Sequence, residues 1–349
     1  MGAGLRSKAR VALLDTGPDL LADVARVMEA ADWRSAIPEG AAIALKPNLG
    51  FDHLLPGAIT SPLVVEGVVR VLRERASKIY LVEADQVVVD IEVSFRRAGM
   101  DRICRQYGLE WVNLSRQPIA RVPVPGALEV PEIPLPEILT RTTLVTVPVM
   151  KTHNKTGLSG AIKNQWGCLP TFRHNYHPVV HEVLCDLMKV LRPAFAVLDA
   201  TVALEGDGPK SGIPRVCNLL MASSDPVAID AVSAQVMGMD PRTIRHLELC
   251  AAAGIGVRDL ERIEVVGADG APRREVPRFD FIRAKHNTVS FVEQLLRQTF
   301  FRRLFFETPL LWPLCWAARG WYSSWYHLFG GKQRFDDARR ASPYGGQWQ

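Results

Sequence analysis

Three lysines, a histidine and three side-chain amides crowd into one segment, VPVMKTHNKTGLSGAIKNQWGCLPT at 147–171. Lys151, Lys155 and Lys163 supply positive charge, and glycines at 157 and 160 let backbone approach a ligand closely. Ammonium groups beside amide donors are what a phosphate or carboxylate needs. The motif KPN at 46–48 brings Lys46 and a further amide, Asn48, to join Asn164 of the segment. Lys46, Asn48, Lys151, Lys163 and Asn164 are therefore the candidate set for an anionic small molecule. The competing reading is surface lysines at strand ends, but their recurrence at one topological position favours binding. GxxxxGK[ST] does not occur, so this is not a Walker A loop.

His153 is the candidate for proton transfer. Asp199, Glu205 and Asp230 are candidate general bases, and Asp199, Glu205 and Asp207 on the glycine-rich EGDGP segment could also ligate a divalent metal ion. Turn-forming carboxylates are the alternative for that segment. Asp230 lies in PVAIDAVSAQVMG, a helix apolar nearly all round, where a lone charge is costly. It either satisfies a buried backbone group or lysine, or points into the site. His174, His177 and His181 in RHNYHPVVH form a second candidate metal set, although Pro178 starts a helix there and leaves the first two in a loop.

The cofactor is thus open, with a divalent metal ion as the candidate. Six scattered cysteines without a CxxC argue against an iron–sulfur cluster or disulfide scaffold, and Cys168 beside Trp166 reads as an inert buried thiol. No GxGxxG follows the first strand, so a NAD site is unsupported.

The elements that must position these groups follow from periodicity. Strands are expected over 10–15, 41–46, 78–83, 110–114, 144–150, 195–199, 217–222 and 262–266. Helices are expected over 19–31, 63–75, 89–107, 179–191, 226–237 and 241–252. Residues 118–136 read as edge strands or an excursion, and 204–214 as a loop. Alternating strands and helices mean βαβ units: an α/β fold, a mostly parallel sheet flanked by helices. Lys46/Asn48, Glu83/Asp85, Lys151/His153 and Asp199 then all fall just past strand C-termini, where open parallel sheets bind ligands.

A chain of 349 residues with 48% apolar content can bury a large core. The expected division is one α/β domain over 8–270 and a C-terminal aromatic helical arm over 271–349. The net charge of +5 is modest and dispersed, so no nucleic-acid partner is expected. The N-terminus lacks a secretory apolar region, which makes a cytoplasmic protein the expectation. Within 300–329, FFRRLFFETPLLWPLCWAARGWYSSWYHLF, the uncharged run of eleven residues is too short to span a bilayer. Arg302, Arg303 and Arg319 among aromatic residues suit contact with a membrane surface, hence a protein peripheral to its inner face. The same arm could instead wrap its own domain or a second subunit in a homo-oligomer.

KPN at 46–48, TSP at 60–62, KTH at 151–153, GAIKNQWG at 160–167, EGDGP at 205–209 and SSDPVAIDA at 223–231 together resemble the landmarks of the domain of unknown function 362 family. The resemblance runs from about residue 41 to 266. Many members carry an attached ferredoxin-like cysteine cluster, which this chain lacks. The combined expectation is an enzyme acting on a phosphate- or carboxylate-bearing small molecule; a non-catalytic ligand-binding or membrane-attached accessory protein is the alternative.

Overall fold

The computed structural model describes residues 8–86, 88–170, 173–285, 288–298, 306, 308 and 310–348. β-Branched and leucine-rich runs build the centre. β1 (Ala9–Asp15), β2 (Ala42–Pro47), β3 (Lys78–Glu83), β4 (Glu110–Asn113), β7 (Thr143–Val147), β10 (Phe195–Glu205), β11 (Ile213–Ser223) and β12 (Ile263–Val266) join in the order β12-β1-β11-β10-β7-β2-β3-β4. Every pairing along that path is parallel except those of β11, which runs antiparallel to both β1 and β10. β5 (Ile119–Pro123) and β6 (Glu132–Pro136) form a separate antiparallel pair, which is the excursion expected there.

Helices cover both faces. Leu20–Ala30, Pro62–Leu72 and Met100–Tyr107 bury one apolar layer, with Val24, Val68 and Ile103 fully buried. Val180–Val190, Pro226–Val236 and Arg245–Ala252 bury the other. Two of these helices start as the sequence indicates. Ser61 and Asp225 cap them, the latter accepting from Val227 and Ala228 N–H at 2.9 Å, each with proline at the first position. The fold is thus α/β, a mostly parallel sheet between helices, with aromatic helices at its C-terminal end.

Four boundaries differ from expectation. The single helix over 89–107 is two, Ile91–Arg97 and Met100–Tyr107, because Gly99 takes a left-handed φ of 70° between them. The run over 144–150 breaks at Pro148, and β8 (Val149–His153) carries on beside β10 and returns through β9 (Gly157–Ser159). Lys151 and His153 therefore sit within a strand, not past one. The strand ending in Asp199 instead continues through the β-prone ATVAL run to Glu205. β10 and β11 form a long hairpin with a bulge between Ala200 and Val202, and only 206–212 is loop. The helix over 241–252 opens as a 3₁₀ turn, Pro241–Thr243.

Beyond 270, described helices span Thr288–Gln298, Leu311–Leu328 and Gly331–Ala341. Residues 299–305, 307 and 309, with Arg302 and Arg303 of the expected membrane segment, lie outside the described residues. The last helices dock on the body. Tyr326 Oη donates to Leu54 O at 2.9 Å, Arg334 donates to Ser211 and Gly212 carbonyls, and Trp348 is buried. Gln347 Oε1 accepts from Leu63 N–H at 3.1 Å, at the start of the Pro62–Leu72 helix.

Candidate functional site

A cavity of about 450 Å³ opens where β2, β3 and β8 end, and six cations line it: Lys46, Lys151, Lys155, Lys163, Arg173 and Lys210. Lys46 comes off β2 and is paired, its Nζ 2.7 Å from Glu83 Oε2 on β3, with both side chains almost wholly buried. Gly167 makes room for that pair. A Cβ there would sit 2.4 Å from Glu83 Oε1 and 2.7 Å from Lys46 Nζ, which is why the chain carries glycine after Trp166. Asn164 ties the loop to the sheet by donating to Lys46 O at 3.2 Å and Thr146 Oγ1 at 2.8 Å. Asn48 lines the cavity while its Oδ1 accepts from Gly50 N–H.

Lys155 is likewise paired, with Glu293, but the other three lysines have no such partner. Among the described residues none of Lys151, Lys163 and Lys210 makes an ion pair. Lys151 donates to Ala58 O at 2.9 Å, a neutral acceptor. Burial, reinforced by the nearby charge of Lys210, brings its ammonium down to about 7. Burial lowers Lys210 to about 7 as well, against the pull of Asp52. Lys163 lies 4.8 Å from the Trp166 ring centroid; burial first, then the charges of Arg173 and neighbouring lysines, hold it well below the usual lysine range. Arg173 is buried too, donating to Leu169 O at 2.8 Å and Asp85 O at 3.1 Å. Like charges gathered without counter-charge raise the cost of ionising each one. An anion entering this cavity would remove that cost.

Two histidines flank the cations. His153 Nδ1 accepts from Lys155 N–H at 3.0 Å, and burial together with the Lys163 charge keeps the ring neutral. His177 stacks on Trp166, centroids 5.9 Å apart, and its Nδ1 lies 2.9 Å from Glu293 Oε1. Burial takes His177 down to about 4, so near pH 7 the contact is a neutral N–H donating to a carboxylate. Burial would push Glu293 up, but His177 and Lys155, whose Nζ is 3.0 Å away, hold it well below the usual range. Glu293 belongs to the helix Thr288–Gln298, so the C-terminal arm supplies part of the site.

The expected acids stand elsewhere. Asp199 Oδ2 accepts from Ser61 N–H at 2.8 Å, and its Oδ1 from the N–H and hydroxyl of Thr201 at 3.0 and 2.7 Å. It ties β10 to a helix start, off the cavity wall. Glu205 Oε2 accepts from Arg215 at 2.8 Å and Ile282 N–H at 3.0 Å. Asp207 is exposed on the hairpin loop. Asp230 takes the backbone option: its oxygens accept from Ala161 and Ile162 N–H at 2.6 and 3.0 Å, while burial lifts it to about 7. It thereby fixes the start of the turn carrying Lys163, and Gly160 has no side chain because a Cβ would meet Asp230 Oδ1 at 2.0 Å.

The three histidines expected to share a metal also separate. His177 faces the cavity, His181 stacks on His246 with centroids 5.6 Å apart, and the side chain of His174 lies outside the described residues. Among the described residues no group of three or more His, Cys, Asp or Glu side chains converges for a metal ion.

The structure thus brings together Lys46, Asn48, Lys151, Lys163, Asn164, His153 and His177, and sets Asp199, Glu205, Asp207, Asp230 and His181 apart from them. It adds Arg173, Lys210 and Glu293, which the sequence reading passed over. Lys210 follows EGDGP directly and Arg173 opens RHNYHPVVH, so both stood beside motifs read for other residues. Glu293 carried no local signal.

The family described as Domain of unknown function (DUF362) matches residues 43–235. A thylakoid-associated protein of Synechocystis sp. is 31% identical over 116 residues, covering 31% of this chain and 36% of the relative, so the match spans little more than a third of that protein. Among solved structures, the lactate racemase apoprotein from Thermoanaerobacterium thermosaccharolyticum aligns with a TM-score of 0.38 at 13% identity, over 71% of this chain and 57% of that one. A protein from Thermotoga maritima aligns at 0.31 with 14% identity, over 50% of this chain and 49% of that one.

Proposed function

We propose that this chain, which belongs to the DUF362 family, is an enzyme acting on an anionic small molecule whose phosphate or carboxylate rests on Lys151, Lys163, Lys210 and Arg173. One observation carries the reading: four buried or half-buried cations face a single cavity without a carboxylate partner within ion-pair reach among the described residues. Such a cluster is costly in the unliganded protein and is relieved by an incoming anion. The Lys46–Glu83 pair is internally neutralised and shapes the cavity wall. His153 and His177 stay neutral at pH 7, as proton acceptors in the reaction must. Glu293 orients the His177 ring.

The test is calorimetric titration of the full chain with inorganic phosphate and with small carboxylates, followed by Lys163→Met. Binding that Lys163→Met abolishes is the expected result; no binding by the unaltered protein sinks the proposal. Turnover of a bound metabolite, absent in His177→Gln, separates the enzyme from a non-catalytic binding protein.

A peripheral membrane location on the cytoplasmic face is the second part of the reading. It is favoured by exposed Trp312, Trp316, Leu328 and Phe329 on or beside the helix Leu311–Leu328, Trp316 being 69% exposed. Among the described residues no helix is long and apolar enough to cross a membrane. The thylakoid association of the Synechocystis relative agrees with surface attachment. Flotation with anionic vesicles checks it: Trp312→Ser/Trp316→Ser should stay at the bottom of the gradient while the unaltered chain rises.

A further inference from the structure

The cations that line the cavity all come from the α/β body. The C-terminal arm contributes Val289 and Leu296 from one helix and Leu311, Leu314 and Trp321 from the next. The arm's share of the lining is mostly aliphatic and aromatic, its polar groups being the Glu293 carboxylate, the Tyr322 phenol and the Cys315 thiol. A cavity of about 450 Å³ has room for roughly fifteen water-sized groups, of which a phosphate uses about five. Phosphate alone would leave the apolar wall in contact with water.

We propose that the ligand of this site is an amphiphile, with a phosphate or carboxylate head on Lys151, Lys163, Lys210 and Arg173 and a hydrocarbon tail of roughly ten carbons lying along the arm. The proposal rests on the anion site put forward above and adds the tail. Ligand pockets of this size are commonly apolar with a few placed polar groups, and here the cations come from the α/β body and most of the apolar lining from the arm. Each buried methylene strengthens binding about fourfold, so even a partly seated tail dominates affinity. Leu314 and Val289 sit on different helices and touch the tail rather than the head, which separates the two halves of the site experimentally.

Decyl phosphate, used below its micelle concentration, and inorganic phosphate are titrated into the full chain and followed by calorimetry. Decyl phosphate should bind at least about a hundredfold tighter, several methylenes at about fourfold each. Leu314→Asn and Val289→Asn should each weaken decyl phosphate about tenfold and leave phosphate unchanged; Lys163→Met should weaken both. Equal affinity for the two ligands overturns the tail and leaves the anion site standing. Tight decyl phosphate binding that neither arm substitution alters also overturns it, because the tail would then lie elsewhere. Binding of neither ligand removes both proposals.

Discussion

Replacing Lys151 with methionine keeps an unbranched apolar stem and removes the ammonium. Lys151 is 3% exposed, and burial brings it from 10.5 down to about 7. At about 1.4 kcal/mol per pH unit, keeping that ammonium inside the fold costs ~5 kcal/mol relative to the unfolded chain. The lost hydrogen bond to Ala58 O gives back about 1–2 kcal/mol. Lys151→Met should therefore stabilise the unliganded protein by ~3 kcal/mol at pH 7. The sign follows from proton counting: between 7 and 10.5 the unfolded chain keeps a proton on Lys151 that the folded chain has released, so wild-type stability climbs with pH across that window. The advantage of the variant is full at pH 7 and below and fades toward pH 10.5. Urea unfolding at pH 7, 8.5 and 10 measures it. A variant less stable than wild type at pH 7, or a difference that does not shrink with rising pH, refutes the reasoning. Saturating phosphate should reverse the order by stabilising wild type far more, since the anion replaces the missing counter-charge.

Anion binding at pH 8 should take up about one to two protons, because Lys151 and Lys210 are largely neutral in the unliganded site and become charged beside the anion. Calorimetry in two buffers of different ionisation enthalpy counts them, and the uptake should fall away at pH 6; a buffer-independent enthalpy at pH 8 contradicts the site's electrostatics. Glu83→Gln strands Lys46 as an uncompensated buried charge and should cost ~3–5 kcal/mol in urea unfolding. A loss near zero would mean the pair is not buried as described. Gly160→Ala pushes a methyl into the Asp230 carboxylate and should cost ~1–3 kcal/mol, seen as a lower midpoint in thermal unfolding; an unchanged midpoint would show the turn to be slack.

Local signals carried much of the site. Lys46, Lys151 and Lys163 were legible because proline, glycine and strand periodicity place them at the C-terminal side of a parallel sheet. The caps at Ser61 and Asp225 were legible for the same local reason. Asp199 was misread because an acid after an apolar run resembles a strand end, yet ATVAL continues the strand and Ser61 and Thr201 satisfy the carboxylate. Nothing near Asp230 in sequence announces that it serves N–H groups 68 and 69 residues away. Lys210 needed the β10–β11 hairpin, and Glu293 needed the arm's docking across 116 residues to His177. These are tertiary facts with no periodic trace.

The lining of the cavity divides along the chain as well as by chemistry. Lys46, Lys151, Lys163, Arg173 and Lys210 all fall inside the stretch 43–235 shared with the family, whereas Val289, Leu296, Leu314 and Trp321 fall beyond it. Mutations in the arm can thus redraw one wall while the cationic floor and its support by β2 and β8 persist.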